Sequence, residues 1–401
     1  MRQKVALARA QSHMSNRFLA LCAPLFVALL MAGCARAARH EIEVRRVADG
    51  LPAQSDLALM AVQRGAWIAW AGALSAPDLF VQPVGAAQAW QFPISGVPSQ
   101  VRLLPLAEQR AALLWLERSI GSAPRLQCAT LEPSGTLRRA PFDLGSAQRY
   151  SAVPAPDGGI LAFIISDEQL SIARLDRLGR PFGAHRLAES AYLAVATLDR
   201  RDQVHVLWLA PGDGALWQLL YVAFEAALLD QPAPRMPAPT LLAVLRLADG
   251  QYFESLSAGA DEMHLYAIWN VVSVRQGGES ARLEGVYFPL SAPSLSRALD
   301  LSALPANLRG VSIPFDNSLR GGAPTLVGSL PRYVVYGALT GQGVLRVQGL
   351  AAARAGERLV SAAAALGTNN ALHLAWLVQN AQGATQLRYA AFLRPQPVAA
   401  N

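Results

Sequence analysis

The chain has 401 residues, 52% hydrophobic and 16% charged, with a formal net charge of +7. So apolar a composition excludes a disordered or low-complexity chain and fills either two or three ordinary domains or one large repeat-built domain. Apart from Lys4 every basic residue is an arginine, scattered rather than clustered among aromatics, which argues against a nucleic-acid binder.

Phe18 to Gly33 (FLALCAPLFVALLMAG) is an uncharged apolar run preceded by Arg2, Lys4, Arg9 and Arg17. It is short for a membrane span. A basic stretch, an apolar stretch and closing small residues instead predict a signal peptide over residues 1–33. Its removal takes away four cations and no acid, lowering the net charge to +3. The run ends Met31-Ala32-Gly33-Cys34, which resembles the bacterial lipobox, although Met31 stands where leucine is usual. The resemblance implies cleavage between Gly33 and Cys34, a diacylglyceryl group on the Cys34 sulfur, and a lipoprotein held on a membrane, facing away from the cytoplasm into the periplasm or at the cell surface. Acyl chains bury about 0.8 kcal/mol per CH₂. The alternatives are an ordinary signal-peptidase site at Ala35-Arg36-Ala37 and an uncleaved anchor. Translation from Met14 would shorten the basic stretch.

Residues 34–55 mix charges without periodicity and are expected to be the lipidated cysteine and a tether. With Cys22 in the signal and Cys34 lipidated, Cys128 is the one thiol left, so no internal disulfide forms. It alternates with Leu126 and Thr130, the pattern of a small buried hydrophobe on a strand.

From residue 56 to 398 one unit recurs: a short apolar strand carrying an aromatic, a turn, and a second alternating strand. The clearest copies are Asp202–Trp208 (DQVHVLW) followed by Leu219–Phe224 (LLYVAF), and Asn370–Trp376 (NALHLAW) followed by Leu387–Phe392 (LRYAAF). A third starts at Asp261. The anchoring aromatics are Trp70, Trp115, Phe163, Trp208, Trp269, Tyr336 and Trp376. Their spacing is mostly about 40 to 50 residues, the period of a four-stranded propeller blade. Gly212-Asp213-Gly214 and the glycines at 341 and 343 are hairpin-turn chemistry. The reading is an all-β chain forming a β-propeller of seven blades, with six or eight as alternatives. Ring closure is expected to draw a strand from near Leu57 into the last blade. The aromatics are expected to pack between blades rather than form a ligand platform.

The strand pair HLAW…LRYAAF resembles blades of bacterial sialidase-like propellers. Their Asp-boxes are absent, and so is the Phe/Tyr-Arg-Ile-Pro segment with its arginine; Val311-Ser-Ile-Pro314 is the nearest string. His205, His264 and His373 occupy matching repeat positions and are read as structural groups that hold turns rather than as metal ligands. Asp157, Asp199, Asp202, Asp213, Asp261, Glu262 and Asp316 lie near turns and suit backbone capping as well as chemistry. No catalytic residue, metal or cofactor is identified. The expected function is that of a membrane-anchored, monomeric scaffold binding a protein or surface glycan through one propeller face. The alternative is a divergent propeller glycoside hydrolase or lyase, which would need two facing carboxylates.

Overall fold

The computed structural model describes residues 42–393, apart from 64, 73–76, 232–233, 276–277, 315–322, 342 and 368. Cys34, Gly33 and the signal segment lie outside the described residues. The compact unit that begins at Val44 carries all the strands described. No helix among the described residues is long and apolar enough to cross a membrane.

After a first strand, β1 (Arg45–Asp49), the strands form blades in chain order. Blade 1 is β2 (Leu57–Val62), β3 (Gly65–Ala71), β4 (Asp78–Pro83) and β5 (Trp90–Pro93). Blade 2 is β6 (Val97–Pro105), β7 (Ala111–Arg118), β8 (Arg125–Leu131) and β9 (Leu137–Ser146). Blade 3 is β10 (Arg149–Pro154), β11 (Ile160–Ser166), β12 (Gln169–Leu175) and β13 (Pro181–Ala188). Blade 4 is β14 (Leu193–Leu198), β15 (Gln203–Pro211), β16 (Leu216–Glu225) and β17 (Thr240–Arg246). Blade 5 is β18 (Gln251–Ala260), β19 (His264–Arg275), β20 (Gly278–Pro289) and β21 (Arg297–Ala298). Blade 6 is β22 (Arg309–Ser312), β23 (Thr325–Leu330), β24 (Tyr333–Thr340) and β25 (Gly343–Ala351). Blade 7 is β26 (Glu357–Leu366), β27 (Ala371–Asn380), β28 (Thr385–Leu393) and, outermost, β1.

Every sheet is antiparallel, and its first strand touches the first strands of both neighbours, with β26 returning to β2. This is the seven-bladed propeller expected from the repeat. The closing strand differs from expectation: Arg45 pairs with Tyr389 and Asp49 with Gln386, while β2 is the inner strand of blade 1. The propeller therefore starts at Arg45, inside the segment read as tether. A five-residue strand of mixed charge shows no alternation, because an outermost strand has only one neighbour to pair with and little to bury.

Burial falls from the centre of the wall outward. In β11 (ILAFIIS) six of seven residues are buried, whereas in β13 (PFGAHRLA) none is. A second strand is covered on both faces by the adjacent blades, so it reads as a continuous apolar run. Clusters such as that of Leu161, Phe163, Val206 and Trp208 fill the space between neighbouring blades, each large side chain contributing about 1.5–3 kcal/mol.

One hairpin turn recurs. Asp199 N–H donates to Gln203 O and Asp202 N–H to Asp199 O; the turns at Ala155–Gly159 and Gly367–Ala371 are bonded alike. The fourth position is left-handed and filled by Asp202 (φ 59°), Asn370 (φ 63°) or Gly158 (φ 82°), the residue types that accept this conformation at least cost.

The seven anchor aromatics are all buried, but they are not all equivalent. Trp70, Trp115, Trp208 and Trp269 face the preceding blade. Trp376 does so by alternation with Ala375 and Leu377, which face blade 1. Phe163 faces the following blade, one residue out of phase, and a one-residue step changes the face on a strand. Tyr336 lies on the third strand of its blade, β24, not the second, and its ring meets Phe392 of blade 7 at 5.1 Å. The second strand there, β23, has no aromatic; a Cβ on Gly328 would fall 2.7 Å from Leu308, which occupies that space. Cys128 is buried on β8 between blades 2 and 3.

Candidate functional site in the central channel

The inner strands enclose a channel of about 380 Å³, within the range of small-molecule sites. We call the face where those strands begin the upper face. Small residues dominate the wall: Ala58, Ala152, Ala196, Ala258 and the run 362–365. Among the described residues of the wall only Asp56 and Arg102 are charged.

Asp56 immediately precedes β2. Its Oδ2 accepts the backbone N–H of Gln100 from blade 2. Gln100 sits in a bulge between Ser99 and Arg102 of β6, with φ 51°. Left-handed backbone at a glutamine stores strain, and bulges re-aim the side chains beside them. The Gln100 carbonyl in turn accepts the Tyr150 hydroxyl of blade 3, which also lies 3.1 Å from Leu114 O. Three blades are thus tied together at the upper mouth. Burial pushes the Tyr150 phenol far up, so it remains a neutral donor. Burial also pushes the Asp56 carboxyl up, against the pull of the Gln100 N–H and the Arg102 charge.

Arg102 is exposed within this mouth and makes no hydrogen bond or ion pair among the described residues. Val101 and Leu103 on either side of it are buried. Ser151, on the wall contributed by blade 3, is 6% exposed and its hydroxyl has no partner. A buried unpaired hydroxyl costs about 1–3 kcal/mol.

The histidines are spread over three blades. His205 Nδ1 lies 2.8 Å from the Tyr221 hydroxyl and its Nε2 3.4 Å from Asp199 Oδ2. His373 Nδ1 lies 2.6 Å from the Tyr389 hydroxyl. Both tyrosines are raised to about 12, by burial first, and burial lowers His373. His264 departs from this pattern. It stands five residues before Trp269, whereas the other two stand three before their tryptophan, and Tyr266 takes the equivalent place. His264 Nδ1 is 3.7 Å from Asp261 Oδ1, while the Tyr266 hydroxyl donates to Asp261 Oδ2 at 2.7 Å. No metal-ligating cluster occurs among the described residues.

The carboxylates singled out from sequence do not converge. Asp157 accepts Gly159 N–H and pairs with Arg174 at 2.8 Å. Asp199 accepts the N–H groups of Arg201 and Gln203, and Asp261 those of Met263 and His264. Glu262 pairs with Arg200. Asp202 and Asp213 lie in turns on opposite faces, and Asp316 is outside the described residues. Sequence reading missed Asp56, Gln100, Arg102 and Ser151. Their signal, an arginine between two apolar residues (VRL) and an acid before an apolar strand, becomes readable only once β2, β6 and β10 are known to be inner strands.

The upper rim carries a second feature. The Arg149 guanidinium lies 4.3 Å above the Tyr192 ring, Tyr192 meets Trp217 at 5.2 Å, and Trp217 meets Phe253 at 5.4 Å, both pairs edge to face. Beside this arc Leu216, Tyr252 and Val274 are exposed.

No protein-family model matches the chain, and no curated protein matches it. Solved structures do. A polysaccharide lyase, an ulvan lyase bound to -[GlcA(1-4)Rha3S]-, is similar with a TM-score of 0.53 at 11% identity over 83% of this chain and 93% of that one. A catalytically inactive virginiamycin B lyase from Staphylococcus aureus with quinupristin gives 0.49 at 9% identity over 87% and 99%. The Dos1 propeller gives 0.47 at 9% identity over 88% and 97%. The likeness is one of fold. Hydrolysis of a glycoside between two carboxylates would need a partner for Asp56 across the channel, and the described wall supplies none.

Proposed function

We propose that this protein is a lipid-anchored propeller outside the cytoplasm that binds a protein or surface glycan through its upper face. The observation that carries the reading is an exposed apolar patch on the upper rim of blades 4 and 5. Ion pairs join neighbouring blades on both rims, Arg200 with Glu262 and Arg174 with Asp230 on the lower, Arg309 with Glu254 and Glu279 on the upper. On the upper rim Leu216, Tyr252 and Val274 stand exposed beside Arg246 and Arg275, which have no ion-pair partner among the described residues. Aromatic and arginine side chains around an exposed apolar patch are the composition of binding surfaces. The tether supports the same orientation. From Ala35 to Val44 the chain reaches about 35 Å at most, and it joins β1 from the lower side, since Asp49 leads up to Asp56. An anchor at Cys34 would therefore hold the lower edge of blade 7 near the bilayer.

The test is capture from native membranes by the full-length chain. The wild type and a lower-rim control, Met263→Ser, should retain the same species, and the double variant Tyr252→Ser/Val274→Ser should lose it. Equal retention by all three would overturn the upper-face assignment.

A further inference from the structure

We infer that the upper mouth of the channel is a binding site for a small zwitterion, an apolar α-amino acid being the simplest ligand of that class. Three observations converge on it. Arg102 presents a guanidinium with no hydrogen-bond or ion-pair partner among the described residues, inside a channel of about 380 Å³. Asp56, the other charged group of the described wall, influences Arg102 electrostatically but makes no ion pair with it. Gln100, between the two charges in sequence and bonded to Asp56, is held in a left-handed bulge.

Two opposite charges that do not touch are complemented by a ligand carrying both. Its carboxylate would take the Arg102 fork, which suits bidentate binding, and its ammonium would face the Asp56 carboxylate. A simple anion would be repelled by Asp56 and a simple cation by Arg102, so single-charge ligands fit less well. Below the mouth the wall is mainly alanine, leucine, valine and proline, with Thr197, Ser257 and Ser312 its polar side chains, which admits an apolar side chain and offers no further charge. Adjacent ammonium and carboxylate groups belong to the free amino acid, not to a residue within a peptide.

Calorimetric titration of the full-length chain with L-leucine, isovalerate and isoamylamine tests this. L-leucine should bind one to one, and the two single-charge analogues about tenfold or more weakly by comparison. Arg102→Gln and Asp56→Asn should each weaken leucine binding about tenfold. Isovalerate binding as tightly as leucine would make the mouth a plain anion site and overturn the proposal. So would unaltered binding in Arg102→Gln, or no binding of leucine, valine or phenylalanine at about 10 mM, a concentration that reveals even weak sites. Each outcome is independent of whether the upper rim captures a macromolecular partner.

Discussion

Blades 4 and 6 reach the same four-stranded sheet by different means. In blade 4, β14 and β15 pair at six consecutive residues, the connecting turn is the recurrent one, and Trp208 is buried against blade 3. In blade 6 the inner strand has four residues, only two of them paired to β23, and the connection onward runs from residue 313 to 324. Where blade 4 has a tryptophan, β23 presents Leu326, Gly328 and Leu330, and Leu308 fills the gap from outside the sheet. Apolar volume between blades is thus what the ring demands; the residue that supplies it and the regularity of the sheet are free to vary.

Three variants would break or sharpen that contrast. Trp208→Ala should cost the most, about 3–5 kcal/mol in denaturant unfolding, because it empties a closed space between two regular sheets. A loss under about 1 kcal/mol would mean that the inter-blade cluster is not what holds blade 4. Glu357→Gln acts at the closing blade, where Glu357 pairs with the buried Arg388 at 2.6 Å. It should cost about 2 kcal/mol at neutral pH. The Arg388 hydrogen bond holds the Glu357 carboxyl below its ordinary value of 4.5. Its stabilisation is therefore complete above pH 4.5 and is lost as pH falls through the lower folded value. The variant should flatten the acid limb of the stability curve; an unchanged limb would remove this pair from the closure. The smallest effect should come from Tyr336→Phe in blade 6, which deletes only the hydrogen bond to Gln348 (2.8 Å) and should cost about 1 kcal/mol, leaving the ring against Phe392 intact.

The same contrast explains what the sequence made legible. Second strands are covered on both faces, so their tryptophans stand out, and five of seven anchors proved equivalent. Blade 6 lacks the signal because a glycine sits on the face that elsewhere carries an aromatic; the repeat pattern matches instead at Tyr336, one strand onward in the same sheet, so the number of blades is unaffected. His264 shares its identity with His205 and His373 but not their place, which Tyr266 fills. β1 was invisible because an outermost strand needs no apolar pattern. The channel mouth was invisible for a different reason: Asp56, Gln100 and Arg102 meet through a bulge and a contact between blades, and neither leaves a mark on local periodicity.

β1 enters blade 7 from the lower side of the propeller, and the proposed anchoring depends on what Cys34 carries. Intact-mass analysis of the mature protein purified from the membrane fraction, beside Cys34→Ser, decides it. The account predicts an N-terminus at Cys34 bearing a diacylglyceryl group, and a Cys34→Ser chain that keeps residues 1–33 and gains no lipid. A mature chain that starts at Ala38 without lipid, or a Cys34→Ser protein of unchanged processing and partition, would contradict it.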